Sequence, residues 1–229
     1  MFSYRHAFHA GNHADVLKHL VLVATLRHLL QKPAALMVVD THAGAGLYRL
    51  DDDFSAISGE ADEGILALLK YMAETPPEQP APALADYLAL VRSFNREGAR
   101  LRLYPGSPFV TQHLLRQEAR DKLKLFEMHP TDSQALVAHV AQLKAGRQVS
   151  VARQDGFESL RALLPPPSRR GLVLIDPSYE IKSDYAKVAD CLQDSLQRFE
   201  TGCYAVWYPV IPRPEAHALP RRLKTLAQQ

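Results

Sequence analysis

Residues 171–180 read GLVLIDPSYE. A short, wholly apolar, β-rich run bounded by a turn signal, residues 172–175, predicts a strand covered on both faces, as in a parallel sheet. Pro177 has no N–H to give a ladder, so the strand must end near Asp176. Asp176-Pro177-Ser178-Tyr179 therefore groups an acid, a rigid turn and an aromatic ring at the carboxyl end of a strand. Open α/β sheets bind their ligands at that edge. Taken alone, the tetrapeptide also fits an ordinary strand exit with a solvated acid; the rest of the chain reverses that balance.

Working outward, the same pattern recurs. Residues 36–39 (LMVV) form a buried strand closed by Asp40-Thr41-His42-Ala43-Gly44-Ala45-Gly46. A strand, an acid and a Gly-x-Gly turn make the first element of a nucleotide-binding α/β fold, since glycines let backbone approach a ligand closely. A third glycine at pyrophosphate spacing is missing, which favours a mononucleoside-like ligand over a dinucleotide. Residues 122–126 (KLKLF) predict a strand ending at Glu127, and 148–152 one closed by Asp155-Gly156. Residues 204–207 (YAVW) predict a fifth, followed by Tyr208-Pro209. Helical periodicity falls at 15–30, 109–120, 132–143, 157–163, 185–198 and 214–229, and Tyr104-Pro105-Gly106-Ser107-Pro108 reads as a rigid loop. The 15–30 helix carries Val16, Leu20, Val23 and Leu26 at core spacing. The order βαβα predicts an α/β, Rossmann-like sheet with right-handed crossovers. Two further helices, 65–71 and 84–94, flank the Pro-rich 75–82. We read 52–102 as a small helical insertion in a main domain of 1–51 and 103–229. Four acids, Asp40, Glu127, Asp155 and Asp176, end successive strands.

Composition narrows the class. The chain has 229 residues and net charge +2, with 27 basic and 25 acidic side chains. It is not a uniformly basic nucleic-acid binder, and such a role needs a local basic patch. Cys191 and Cys203 lack metal-ligand spacing and read as reduced cytosolic thiols. No His/Cys/Asp set has structural-zinc spacing, so no metal is expected. The apolar run 20–26 is broken by Arg27 and His28 and follows a polar, His-rich leader. Neither a signal peptide nor a membrane span is expected, and the expected location is cytoplasmic. Residues 1–12, MFSYRHAFHAGN, combine stacking rings, a base and histidines, which suits a segment that closes over a nucleotide.

The strand-end acids suit a methyl-donor nucleoside and an exocyclic amine. Glu127 can accept from ribose hydroxyls and Asp155 from an adenine amino group. The Gly44–Gly46 turn can lie against a methionine part, with Asp40 or His42 at its charged end. Asp176 then faces the substrate. A carboxylate accepting one N–H of a delocalised amine favours a more tetrahedral nitrogen and can take the proton lost after transfer. Tyr179 can stack on the base, worth about 1–3 kcal/mol, and a paired base must first be extruded.

Asp176-Pro177-Ser178-Tyr179 resembles the Asp-Pro-Pro-Tyr motif of amino-group adenine methyltransferases. Ser3-Tyr4-Arg5-His6 and residues 8–19 (FHAGNHADVLKH) resemble the N-terminal signature of the bacterial 23S ribosomal RNA adenine-N6 methyltransferases. The 40–46 turn, Tyr104-Pro105-Gly106-Ser107-Pro108 and Trp207-Tyr208-Pro209 are similar to the same family, so the resemblance spans essentially the whole chain. It implies an S-adenosylmethionine-dependent methyltransferase fold acting on protein-free ribosomal RNA, as a monomer. It implies cofactor contacts at His19, His42, Ser107, Glu127, Asp155, Gly156 and Asp176, with Asp176 the catalytic acid. Tyr4, His6 and Lys18 fall on its substrate side. Ser178 departs from the motif's second proline, and the chain ends soon after the fifth strand, where family members continue. A nucleic-acid-binding protein of the same fold without transfer activity is the second expectation, and the family has been linked to use of external DNA. A nicotinamide dehydrogenase is disfavoured by the incomplete glycine fingerprint.

Overall fold

The computed structural model describes residues 6–51, 59–75, 77–96, 98 and 100–228. Five parallel strands form the central sheet: β1 (Met37–Asp40), β4 (Lys122–Phe126), β5 (Val149–Ala152), β6 (Gly171–Ile175) and β7 (Cys203–Val206). Their order is β5-β4-β1-β6-β7. Parallel strands need helical crossovers, which cover both faces and demand apolar residues on each. Every residue of β1 and β6 is buried. Side chains alternate across the sheet as the two-residue strand period requires. Val38, Leu123, Leu125, Leu172 and Leu174 enter one core; Met37, Val39, Phe126, Val173 and Ile175 enter the other.

The first core is roofed by α1 (His13–Leu29), α4 (Ser107–Leu114) and α5 (Pro130–Gln142), through Leu22, Val23, Leu26, Val110 and Leu136. The second lies under α6 (Gly156–Leu163), α7 (Ser183–Arg198) and α8 (Pro214–Leu226), through Leu160, Val188, Ala189, Ala216 and Leu219. Each leucine or valine among them gains about 1.5–3 kcal/mol on burial. The α/β class and a mostly parallel sheet with helices on both sides are as the sequence predicts.

Three local features differ. Residues 104–106 are not simply a loop: β3 (Leu103–Pro105) pairs antiparallel with β2 (Leu47–Arg49) as a two-stranded ribbon. Three-residue strands carry too little alternation to be seen in sequence. The helix expected at 109–120 begins at Ser107 and stops at Leu114, because the Arg116 N–H donates to the Asp121 carboxylate instead of continuing the helix. On α1 the buried face is Asp15, Lys18, His19, Leu22, Val23 and Leu26, while Val16 and Leu20 are only partly buried.

Between the ribbon strands lie a π-helical turn (Asp62–Leu66), α2 (Ala67–Glu74) and α3 (Pro82–Ser93). Ile65, Tyr87, Leu90 and Val91 are buried in the same core as α1. The N-terminal turn is tied to this segment: the Ile65 N–H donates to the Gly11 carbonyl at 2.8 Å, and Asn12 Nδ2 donates to Glu60 at 2.9 Å. Among the described residues no helix is long and apolar enough to cross a membrane, and no group of three or more His, Cys, Asp or Glu is placed to hold a metal.

Candidate active site

The chain leaves β1 for β4 and β5 on one side, then crosses to β6 and β7 on the other. The order therefore reverses beside β1, and a crevice opens at the carboxyl ends of β4, β1 and β6. A cavity of about 510 Å³ occupies it, within the usual range for a small-ligand site. His6, Lys18, His19, His42, Ser107 and Glu127 line it, as do Asp155, Gly156, Asp176 and Tyr179. Ten of the residues singled out from sequence thus meet in one place; Tyr4 lies outside the described residues.

On the β6 side, Asp176 follows the last strand residue, and its Oδ2 accepts from Lys18 Nζ at 2.6 Å. Lys18 also meets Asp15 Oδ1 at 2.9 Å, and Asp15 Oδ2 lies 2.9 Å from His6 Nε2 while accepting from the Gly11 N–H. Burial opposes charge on Lys18, but the two carboxylates outweigh it and hold its pKa well above the ordinary lysine value. Burial likewise pushes Asp15 up, and His6 and Lys18 overcome it, so Asp15 stays well below the usual carboxylate range. Tyr179 takes a left-handed backbone, φ 55°, uncommon for a bulky residue. Its ring is buried 4.7 Å from Tyr185, and its hydroxyl donates to the Trp207 carbonyl at 2.6 Å.

At the end of β1, Asp40 Oδ2 accepts from Ser107 Oγ at 2.6 Å. Burial, with a smaller push from Asp176, raises Asp40 to about 6 despite that hydrogen bond. Thr41 Oγ1 gives its one proton to the Leu174 carbonyl and therefore accepts from His42 Nδ1 at 2.8 Å. His42 thus carries its hydrogen on Nδ1 and presents Nε2 as an acceptor, and burial lowers it to about 4. His19 is lowered to about 3 by burial; its Nδ1 meets the Tyr104 hydroxyl at 2.9 Å, which in turn meets Tyr87.

At β4, Glu127 takes the Gly44 N–H on Oε2 at 2.8 Å and the His129 N–H on Oε1 at 2.7 Å. It fixes the glycine turn, and each oxygen keeps a lone pair for a further donor. Burial raises its pKa. Gly44 has φ 59°, and a Cβ there would sit 2.3 Å from the Tyr48 hydroxyl, so no other residue fits. Asp155 is exposed and caps α6, accepting the Phe157 N–H at 2.8 Å. A Cβ on Gly156 would meet the Thr41 carbonyl at 2.2 Å, so this glycine packs α6 against the β1 turn.

Residues 33–229 match the family model described as Ribosomal RNA large subunit methyltransferase D, RlmJ. The chain belongs to the RlmJ family. Ribosomal RNA large subunit methyltransferase J of Escherichia coli is 45% identical over 215 residues, 94% of this chain and 72% of that protein. The protein of the same name from Haemophilus influenzae is 43% identical, over 94% of this chain and 73% of its own length. The crystal structure of LPL1258 from Legionella pneumophila superposes with a TM-score of 0.84 at 36% identity, covering 95% of this chain and 76% of that one. Family membership makes the chain a methyltransferase and the sheet-edge cavity its candidate active site. Sequence reasoning missed Asp15, Thr41 and Tyr48, and left the Asp40–Ser107 link unseen. Asp15 did carry a signal: Asn12-x-x-Asp15 is a capping-box spacing, and the Asp15 N–H is indeed capped by Asn12 Oδ1 at 2.8 Å.

Proposed function

We propose that the chain transfers a methyl group from S-adenosylmethionine to the N6 amine of an adenine in 23S ribosomal RNA. The observation that carries this is the shared cavity. Asp176, with one oxygen tied to buried Lys18, lines the same space as Glu127 and the Gly44 turn. The residues present fit the donor. Two neutral imidazoles, His42 and His19, and a carboxylate with lone pairs to spare suit a polar nucleoside and an amino-acid tail. Glu127, Asp155, Gly156, His42, Ser107 and His19 hold it on this reading. When bound, S-adenosylmethionine supplies an electrophilic methyl on a sulfonium.

The chain's own part is orientation and proton acceptance. Asp176 Oδ2 is engaged by Lys18, so Oδ1 accepts an N–H of the target amine and takes the proton released. Holding the nitrogen in line contributes much of the rest of the barrier reduction. Tyr179, fixed at its hydroxyl end and packed on Tyr185, shapes the cavity wall where the base enters, and stacking on the base exposes its ring; His6 and Tyr4 lie on the side of the nucleic acid. The enzyme works as a cytoplasmic monomer on protein-free RNA, and residues 52–102 act as a helical insertion. Mass spectrometry of 23S ribosomal RNA from cells with and without the protein tests this. Loss of one N6-methyladenosine is expected, and unchanged RNA would overturn it.

A further inference from the structure

The buried acid Asp15 has no part in the chemistry so far. It is 2% exposed, lies one helical turn before Lys18, and meets that ammonium at 2.9 Å. Its other oxygen is held by His6 Nε2 at 2.9 Å and the Gly11 N–H at 3.1 Å. The chain Asp15–Lys18–Asp176 therefore has one end fastened to backbone and the other facing the cavity. Asn12 already caps α1 through the Asp15 N–H, so helix capping alone does not require a buried carboxylate here.

We infer that Asp15 is a positioning residue: it holds Lys18 as an ammonium against Asp176 Oδ2, so that Asp176 meets the amine as a carboxylate with Oδ1 as its acceptor. The inference rests on the function proposed above. A lysine buried beside one carboxylate forms a pair whose geometry is set only by rotamers. With two carboxylates on the one ammonium, at 2.9 and 2.6 Å, its position is over-determined, and so is that of Asp176. Misplacement by about 1 Å can cost 10²-fold in rate, so this constraint acts on turnover without touching substrate.

The titratable groups set around Lys18 are Asp15 and His19 on its own helix, His6 from the N-terminal turn, Asp176 after β6, Asp40 at the end of β1, Tyr48 on β2 and Tyr87 on α3. Burial lowers Lys18, and Asp15 is the largest of the groups raising it. Without Asp15, the ammonium is lost at a lower pH, and activity that needs it falls earlier as pH rises.

The test is Asp15→Asn, which keeps size and removes charge. Turnover should drop about 10- to 100-fold with S-adenosylmethionine affinity unchanged, and the alkaline limb of the pH–rate profile should move toward neutrality. An unchanged rate, or a slower one with an unmoved profile and a melting temperature lowered in step, would overturn the proposal. Should the variant fold poorly, ¹⁵N-lysine spectra of the wild-type protein decide. The Lys18 resonance should stay that of a hydrogen-bonded ammonium up to about pH 9, and a neutral amine there refutes the assignment. Failure of the function itself reads differently: Asp176→Ala would keep its activity whatever Asp15 does.

Discussion

Asp121 and Asp176 stand at opposite ends of the same sheet, one immediately before β4 and the other immediately after β6. Asp121 has a fully buried side chain and accepts from the Leu36 N–H, the Arg116 N–H, and Arg116 Nε and Nη2, at 2.8–3.1 Å. The rest of the Arg116 guanidinium goes to the carbonyls of Leu30, Lys32 and Ala34. Every valence at that edge is used, and the result is a clasp joining α1, β1 and β4. Among the described residues, Asp176 takes a donor on Oδ2 alone and borders a cavity. Two acids beside strands of one sheet thus have opposite fates. A saturated carboxylate holds the fold; one fixed on a single oxygen is held ready for an incoming donor.

Five substitutions break or sharpen that contrast. Asp176→Ala should lower turnover by about 10²–10⁴ with little change in melting temperature, because Lys18 keeps Asp15 as partner; near-native turnover would remove the contrast. Asp121→Ala should do the reverse. The Leu36 and Arg116 backbone N–H groups lose their acceptor, at about 1–3 kcal/mol each, measured by denaturant unfolding, while turnover of the folded fraction stays near wild type. Glu127→Ala should weaken S-adenosylmethionine binding by about 1.5–3 kcal/mol in calorimetry, since a charged acceptor is lost and the Gly44 turn is released.

The smallest effect is in pH. Burial raises Asp121, but Arg116 and two backbone N–H groups overcome it and hold it below the usual carboxylate value. Its stabilisation is therefore present above about pH 4 and is lost as pH falls through the lowered value. Asp40 is raised to about 6, so the folded state keeps a proton that the unfolded chain has released. Stability from that site falls as pH rises from about 4 to 6. Asp121→Asn should flatten the unfolding slope below about pH 4, and Asp40→Asn the opposite slope between about pH 4 and 6; parallel changes would show that the two edges do not differ.

The parallel strands were legible in two ways: residues 171–175 are apolar throughout and stop at Asp176-Pro177, while residues 122–126 alternate lysine with apolar residues and stop at Glu127. The site was legible because strand ends converge, so Asp40, Glu127 and Asp176 were bound to share an edge. The β2–β3 ribbon was not, since three residues carry little pattern and Pro105-Gly106 signals a turn. Nor was the inward face of α1. Sequence periodicity points apolar residues at the core, whereas here Asp15, Lys18 and His19 are buried because each finds a charged or hydrogen-bonding partner. Those partners lie up to 158 positions away, and no local pattern reports them.

The central claim is that the open carboxylate acts on an adenine amine, and product analysis tests it most directly. Purified protein would be incubated with protein-free 23S ribosomal RNA and isotopically labelled S-adenosylmethionine, and the RNA digested and separated by mass spectrometry. Wild-type protein should place the label in N6-methyladenosine alone, and Asp176→Ala should leave none. Label on a ribose hydroxyl, a ring atom or another base, or undiminished label with the Asp176→Ala protein, would contradict the account.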